Sequence, residues 1–572
     1  MFALFRYFTK KDVVLSLLLI VFLAGQTYCD VTLPTYTAEI VAKMQAGESA
    51  FSIGRTGIVM LSFAGMSAGA IIAETFFAGA ISTGLAMRLR EKIFHKVFTL
   101  SARETGKFST ASLLTHTTND VQQVSGVLIL FLRLGLGAPL MAVLAIIRIA
   151  QSGWELTLVT AAGVVVLLAS QIAVTLVVIP KFRIVQRLTD RLNGLTRETL
   201  TGIRVVRAFR AEKYEEQRFD VVNREIKKTN IFTGRVTAVL FPAISLVSNF
   251  VTLAIYWVGC LVIVRRNDAA FFPTMFAFTQ LAAQVILAFM LILMLVVIFP
   301  RAQVSARRIH EVLNAEPSVA EPEKSVPLSE LGTVEMKHVS FSYGGEEVLS
   351  DISFRVERGQ TLAIIGATGA GKTTVLSLLE RLYDPAQGEV KIGGADVRTV
   401  SSDLLHRTLA YVPQKSVLFS GTVRENIAFS RECDVEQAAQ IACASEFIEG
   451  LEQGYDAPVL QGGRNFSGGQ RQRLAIARAV AAGAPIMLFD DCFSALDFAT
   501  DARVRSNLKA ALPDVTKIIV AQRIGTVRDA DAILVLKEGH AAGLGKHEEL
   551  LQNCEEYRAI ALSQLSREEL GI

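Results

Sequence analysis

Apolar residues crowd into roughly the first 300 of the 572 positions of this chain, whereas the remainder mixes polar and apolar residues as an ordinary globular domain does. A bilayer core about 30 Å thick needs roughly 20 apolar residues per crossing helix. Stretches of that length can be drawn near 13–33, 56–82, 125–147, 155–179, 237–264 and 271–299, the last two separated by the short polar turn RRNDAA. Basic residues gather at the N-terminus, after the second span (Arg88, Arg90, Lys92, Lys96), after the fourth (Lys181, Arg183, Arg187) and after the sixth (Arg301, Arg307, Arg308). The excess of positive charge on cytoplasmic loops then predicts both termini inside, with Arg265 and Arg266 as a mild exception outside. Arg6, Lys10 and Lys11 ahead of VVLSLLLIVFLAG have the charge and apolar order of a signal peptide. No small-x-small cleavage site follows cleanly, and the segment is read as a first transmembrane helix.

The connections say more than the spans. Residues 83–124 and 180–236 form long cytoplasmic links with charges at helical spacing and few breakers, so the spans are expected to continue as helices beyond the bilayer. Forty residues down and back reach about 30 Å into the cytoplasm, where a globular domain of the same chain offers something to touch. Residues 314–333, NAEPSVAEPEKSVPLSELGT, carry three prolines and alternating charge and read as a linker. The predicted organisation is a membrane all-α six-helix transmembrane domain over 1–313, this linker, and an α/β P-loop nucleotide-binding domain over 334–572.

Composition narrows the function. A net charge of only +4 gives no nucleic-acid footprint, and six cysteines without CxxC spacing suggest neither a zinc site nor a disulfide framework.

Residues 361–366, TLAIIG, form a buried-strand pattern that runs into Gly366-Ala367-Thr368-Gly369-Ala370-Gly371-Lys372-Thr373-Thr374. This is the GxxxxGK[ST] phosphate loop in its strand–loop–helix setting. Its glycines let backbone N–H groups close on phosphate at the positive end of a helix starting at Lys372. Lys372 would reach the β and γ phosphates, and Thr373 would ligate Mg²⁺. A second apolar strand, PIMLFD, ends in Asp490, placed to hold Mg²⁺ through water. Between the two strands lies Phe466-Ser467-Gly468-Gly469-Gln470, opening the helix RQRLAIARAV. A Ser-Gly-Gly helix start is another anion site, yet one phosphate chain cannot fill two such loops on one domain. The economical answer is a nucleotide held by another subunit.

These residues resemble the ATP-binding cassette (ABC) transporter superfamily, specifically half-transporters of the exporter fold, and the resemblance covers nearly the whole chain. It implies that Tyr343 stacks on adenine, that Gln414 senses the γ-phosphate and approaches Mg²⁺, that 466–470 is the signature loop and that Asp497 belongs to the loop linking the two sites. TNDV at 118–121 and TGIRVVRAF at 201–209 look like the neighbourhoods of the two coupling helices. ATP and Mg²⁺ are the implied cofactors, a second half-transporter and the lipid bilayer the implied partners, and a cell (inner or plasma) membrane the implied location.

Two departures from the family pattern matter. Asp491 stands where the family places a glutamate base after the Walker B aspartate; its carboxylate retreats by about 1.5 Å, while a base must come within about 2.6–3.2 Å. In KIIVAQR, Gln522 replaces the switch histidine and can hydrogen-bond phosphate but cannot carry positive charge. A third change is Gln461, where a glutamate usually precedes the signature. Together they predict a chain whose own site binds ATP but turns it over slowly, while its intact FSGGQ completes a competent site on a different partner. That partner is expected to carry the glutamate, the histidine and an altered signature; tolerated swaps with activity kept are the alternative.

Glu74 in the second span and Arg133 and Arg148 in or beside the third are candidate substrate contacts, or else residues that snorkel to a headgroup boundary. Phenylalanines in spans five and six are read as lipid-facing or packed rather than as a pathway. The expected function is export of amphipathic or hydrophobic small molecules, lipids or peptides. Alternatives are inward carriage of a siderophore-like substrate and a regulatory, non-hydrolysing half. The membrane half excludes a soluble ATPase.

Overall fold

The computed structural model describes residues 2–152, 154–267 and 271–570. They form two compact units, one of 1–98 with 110–314 and one of 99–109 with 315–572. The turn RRNDAA runs into 268–270, outside the described residues.

The first unit is helical: α1 (Lys10–Gln45), α2 (Ala50–Thr99), α4 (Thr110–Thr115), α5 (Val121–Leu130), α6 (Leu136–Ser152), α7 (Trp154–Thr201), α8 (Ile203–Ala208), α9 (Glu212–Ala238), α10 (Leu240–Arg266) and α11 (Phe272–Leu313). Helix α3 (Ala102–Phe108) belongs to the second unit. Two π-helical turns, His116–Asp120 and Phe131–Gly135, join α4, α5 and α6 into one rod. Among the described residues, six helical segments are long and apolar enough to cross a membrane. At 1.5 Å per residue the 50-residue α2 runs about 75 Å, far beyond a 30 Å hydrocarbon core.

Local chemistry starts and orients these helices. Thr9 caps α1 in a capping box with Asp12, whose carboxylate also receives Arg88 of α2 at 2.6 Å. Along α2 the buried positions Ser67, Ala70, Glu74, Ala78, Ile81, Leu85 and Leu89 recur every three or four residues, a single inward stripe, while Ile58, Leu61, Ile72 and Phe76 stay exposed. An apolar outer surface of this kind suits lipid rather than water. Among the phenylalanines of the last two spans, Phe278 is fully buried and Phe250 is exposed.

TNDV at 118–121 spans the end of the π-helical turn His116–Asp120 and the start of α5. Asp120 is buried in the π-helical turn, bonded to His116 at 2.7 Å and to Ser305 Oγ of α11 at 2.7 Å. The stretch that joins the cassette unit is 99–109: the Glu104 carboxylate accepts from Ser318, and Ser101 Oγ accepts from the Val319 N–H at 3.0 Å. On the other loop α8 carries exposed Val205 and is flanked by exposed Leu200 and Phe209.

In the cassette unit β1 (Val334–Ser342), β2 (Glu347–Val356), β4 (Gln387–Ile392) and β5 (Ala395–Asp396) make an antiparallel sheet in the order β2-β1-β4-β5. A six-stranded sheet combines β3 (Thr361–Gly366), β6 (Leu409–Val412), β9 (Ile486–Asp490), β10 (Thr516–Val520), β11 (Ala532–Lys537) and β12 (His540–Gly545) in the order β12-β11-β3-β10-β9-β6. The pair β7 (Gly421–Thr422) and β8 (Pro458–Val459) stands apart. Strands β3, β6, β9, β10 and β11 pair in parallel, and their near-continuous apolar runs are buried on both faces, as such sheets require. The carboxyl ends of β3 and β9 therefore open side by side, separated by β10.

Candidate nucleotide site

The phosphate loop leaves β3 at Gly366 and enters α12 (Lys372–Leu379) at its N-cap, Gly371. Gly369 and Gly371 hold φ of +85° and +95°, a region where a side chain is strained. A Cβ at Gly366 would collide with the Leu536 carbonyl, and one at Gly371 with Leu349. Lys372 is buried and its ammonium donates to the Gly366 and Ala367 carbonyls at 2.8 and 2.7 Å. Burial pulls its pKa down, against the pull of Asp491 and Asp490. Thr368 is exposed, Ala370 buried, and Thr374 buried with its hydroxyl 3.2 Å from that of Tyr343.

At the end of β9, Asp490 Oδ1 accepts from Thr373 Oγ1 at 3.0 Å and Oδ2 from the Tyr411 hydroxyl at 3.3 Å. Two hard oxygens at hydrogen-bond distance, beside a glycine cradle of backbone amides, fit a magnesium–nucleotide pair. Tyr343, about half exposed, packs edge-on to Phe341 and Tyr383 with ring centroids 4.8 and 5.0 Å away, leaving a face for a base. Tyr383 and Tyr411 were not singled out in the sequence: nothing in their local pattern marks a strand or loop tyrosine that reaches this site.

Asp491 follows at φ +45°, its amide bonded to Val520 O at 2.9 Å. Its Oδ2 accepts from both predicted glutamines, Gln414 Nε2 at 3.1 Å and Gln522 Nε2 at 2.8 Å. Burial pushes its pKa up, opposed by Gln414, Lys372 and Gln522. Asp490 is raised as well, again chiefly by burial.

The serine–glycine loop opens the helix Gly468–Ala481. Ser467 and Gln470 form a reciprocal capping box, with the Ser467 amide donating to Gln470 Oε1 at 2.8 Å. Ser467 and Gly468 are exposed, and a Cβ at Gly468 would meet nothing within 4 Å; at Gly469 it would meet the Ala495 carbonyl at 3.3 Å. Asp497 caps the next helix, Phe498–Ala511, by accepting from the Thr500 amide at 2.9 Å.

A further buried carboxyl lies behind the site. Glu380, at the end of α12, is pushed up to about 8 by burial and by the charge of Asp490. The unfolded chain, with this group at its ordinary 4.5, binds fewer protons than the native one across that window. Stability contributed by the neutral form is therefore full below about pH 4.5 and is lost as pH rises toward 8. Glu380→Gln is expected to flatten this dependence and to raise the unfolding temperature at pH 8 by several degrees in metal-free buffer. Unchanged pH slopes in differential scanning fluorimetry would contradict it.

A family profile described as the ABC transporter transmembrane region matches residues 16–305, and one described as ABC transporter matches 349–494. The ABC transporter ATP-binding protein Rv1273c of Mycobacterium tuberculosis (strain ATCC 25618 / H37Rv) is 36% identical over 551 residues, 94% of each chain. The ATP-dependent lipid A-core flippase of Haemophilus influenzae (strain 86-028NP) is 30% identical over 85% of this chain and 84% of its own length. A solved bacterial Atm1-family ABC exporter with ATP bound superposes with a TM-score of 0.79 at 25% identity, over 96% of this chain and 97% of that one. The chain thus belongs to the ABC transporter family. Within it, the chain is an exporter-type half-transporter: a multi-pass membrane protein with a cytoplasmic nucleotide-binding domain of the ATPase class that drives transport.

Proposed function

We propose that this chain is the slow-hydrolysing half of an asymmetric ATP-driven exporter, paired in a cell membrane with a different half-transporter and moving amphipathic or lipid-like cargo. The observation that carries the reading is the clamp on Asp491, whose one carboxylate oxygen is held by two glutamine amides. An amide side chain cannot take up or pass on a proton as imidazole does. The shorter carboxylate also sits about 1.5 Å further from an attacking water than glutamate would. Lys372, Thr373, Asp490 and the glycine loop keep the donor set that grips phosphate and Mg²⁺, with Tyr343 against the base, so binding survives where turnover does not. When bound, magnesium neutralises charge on the phosphates; Lys372 and the loop amides orient them.

The other loop supports pairing. Ser467 and Gly468 present an exposed helix start while Gln470 satisfies the serine amide, and the exposed apolar tip around α8 is suited to burial against another cassette. Gly468→Asp tests this arm. The open space at its Cβ accepts the side chain, which then carries negative charge into the anion position. ATP binding by this chain is expected to persist, while turnover by the assembled pair falls by about 10²-fold, the size of losing one oxyanion-type donor set. Unchanged turnover of the pair would remove the signature loop from the competent site. Lipid-like cargo rests on the flippase relatives; ATP-dependent movement of fluorescent phospholipid in vesicles bearing the pair is its test.

A further inference from the structure

The parallel sheet of the cassette has two ends, and the nucleotide machinery uses only one. At the other, where β3 and β10 begin, Thr361 and Lys517 stand side by side in register. They lie one strand length, roughly 17 Å, from the phosphate loop at Gly366. A cleft of about 340 Å³ opens there, walled by the helix Phe498–Ala511, the short helix Ile524–Val527 with the turn after it, and the starts of the two strands. That volume suits a small molecule rather than a lone water. Both helices start at the nucleotide machinery: Asp497 caps the first, and the second begins two residues after Gln522. A ligand held in the cleft would brace the two segments that carry those residues.

The lining is unbalanced in charge. Arg505, Lys509 and Lys517 line the cleft against a single carboxylate, Asp529. Arg505 is already matched: its guanidinium meets Asp501 at 2.8 Å and Asp529 at 3.8 Å, and it donates to the Gly525 carbonyl at 3.1 Å. The two lysines are not. Lys517 is 4% exposed, and its ammonium donates to the Leu512 and Val515 carbonyls at 2.7 and 2.9 Å, which leaves one of its three N–H groups. Among the described residues neither lysine has a carboxylate within ion-pair distance; the Asp531 carboxylate is engaged by the Thr361 amide at 2.8 Å. Burial pulls the pKa of Lys517 down, opposed by Asp531, and the charge of Lys509 adds to the fall. A cation held out of water without a counter-charge is costly, and a second cation near it adds to the cost, so the group that completes this cleft is an anion. A phosphate dianion matches two ammonium groups in charge, and its oxygens can also accept from the Thr361 and Ser506 hydroxyls of the lining.

We propose that this cleft binds a small phosphate-bearing molecule, its charge shared between the Lys509 and Lys517 ammonium groups, as a second anion site of the cassette separate from the phosphate loop. The site does not depend on the asymmetric-pair reading. The full-length chain in zwitterionic-lipid nanodiscs is titrated with glycerol 3-phosphate and with glycerol at fixed ionic strength. The wild-type chain is expected to bind glycerol 3-phosphate at least tenfold more tightly than glycerol, with amide hydrogen exchange slowed over 502–509 and 524–530. Lys509 is exposed, so Lys509→Glu should fold as the wild type does; it should weaken that binding at least tenfold and leave ATP affinity unchanged, while Lys509→Arg should keep most of it. Lys372→Ala should bind glycerol 3-phosphate as the wild type does. Equal affinity of the wild-type chain for the two probes, binding untouched by Lys509→Glu, or binding abolished by Lys372→Ala would each overturn the proposal, the last by placing the phosphate at the nucleotide loop.

Discussion

Replacing Lys372 with alanine will reduce ATP affinity of this chain by at least about 10²-fold. The ammonium now spans two loop carbonyls, Gly366 and Ala367, and the charges of Asp491 and Asp490 act on it. Turned outward, it would make charge-assisted bonds to phosphate worth roughly 1.5–3 kcal/mol each, and each 1.4 kcal/mol is about tenfold in affinity. The alanine chain also removes the positive charge that offsets Asp490 and Asp491, so part of the loss is electrostatic rather than contact. Isothermal titration with magnesium and ATP reads the effect. A Lys372→Ala chain that binds ATP with undiminished strength would dissolve the assignment of the phosphate loop.

The second large effect is a gain. Asp491→Glu combined with Gln522→His should raise ATP turnover of the purified chain by about 10²-fold, the lower end of what a positioned base contributes. The glutamate restores the missing methylene, and the imidazole replaces an amide whose only present contribution is to donate to Asp491 Oδ2 at 2.8 Å. Burial already pushes Asp491 upward, so the expected gain comes from reach and from the identity of its neighbour rather than from basicity. Either single change should give far less than the pair, since the two side chains touch and act as a unit. A steady-state phosphate-release assay on the wild type, both singles and the double decides it, and a double variant no faster than wild type would show that Asp491 and Gln522 do not set the rate.

The helices and the cassette motifs were legible for different reasons. Long apolar runs report the bilayer directly, and the span from Thr361 to Thr374 names its own strand, loop and helix, so position and chemistry coincide. Asp491 and Gln522 could be read as departures because they stand at fixed offsets from strand ends. Their meeting at one carboxylate oxygen, together with Gln414, needed β6, β9 and β10 laid side by side. The partners of Asp120 in TNDV were not legible, because a polar run in a cytoplasmic extension reads the same whatever it packs against; Ser305 of a distant helix proves to be one of them. Glu380 gave no signal, since a glutamate ending a helix is ordinary until Asp490 is found against it. Asp30 was equally silent: one acid among apolar residues shows its partners, Gln26, Ser67 and Gln284, only once α1, α2 and α11 are packed together.

The asymmetric-pair account is tested most directly by ATP turnover of the wild-type chain purified without any second half-transporter, set beside its ATP binding. The account predicts saturable binding with phosphate release near background, rising sharply once a chain with a glutamate base and switch histidine is supplied. Vigorous steady-state hydrolysis by the lone chain would contradict it.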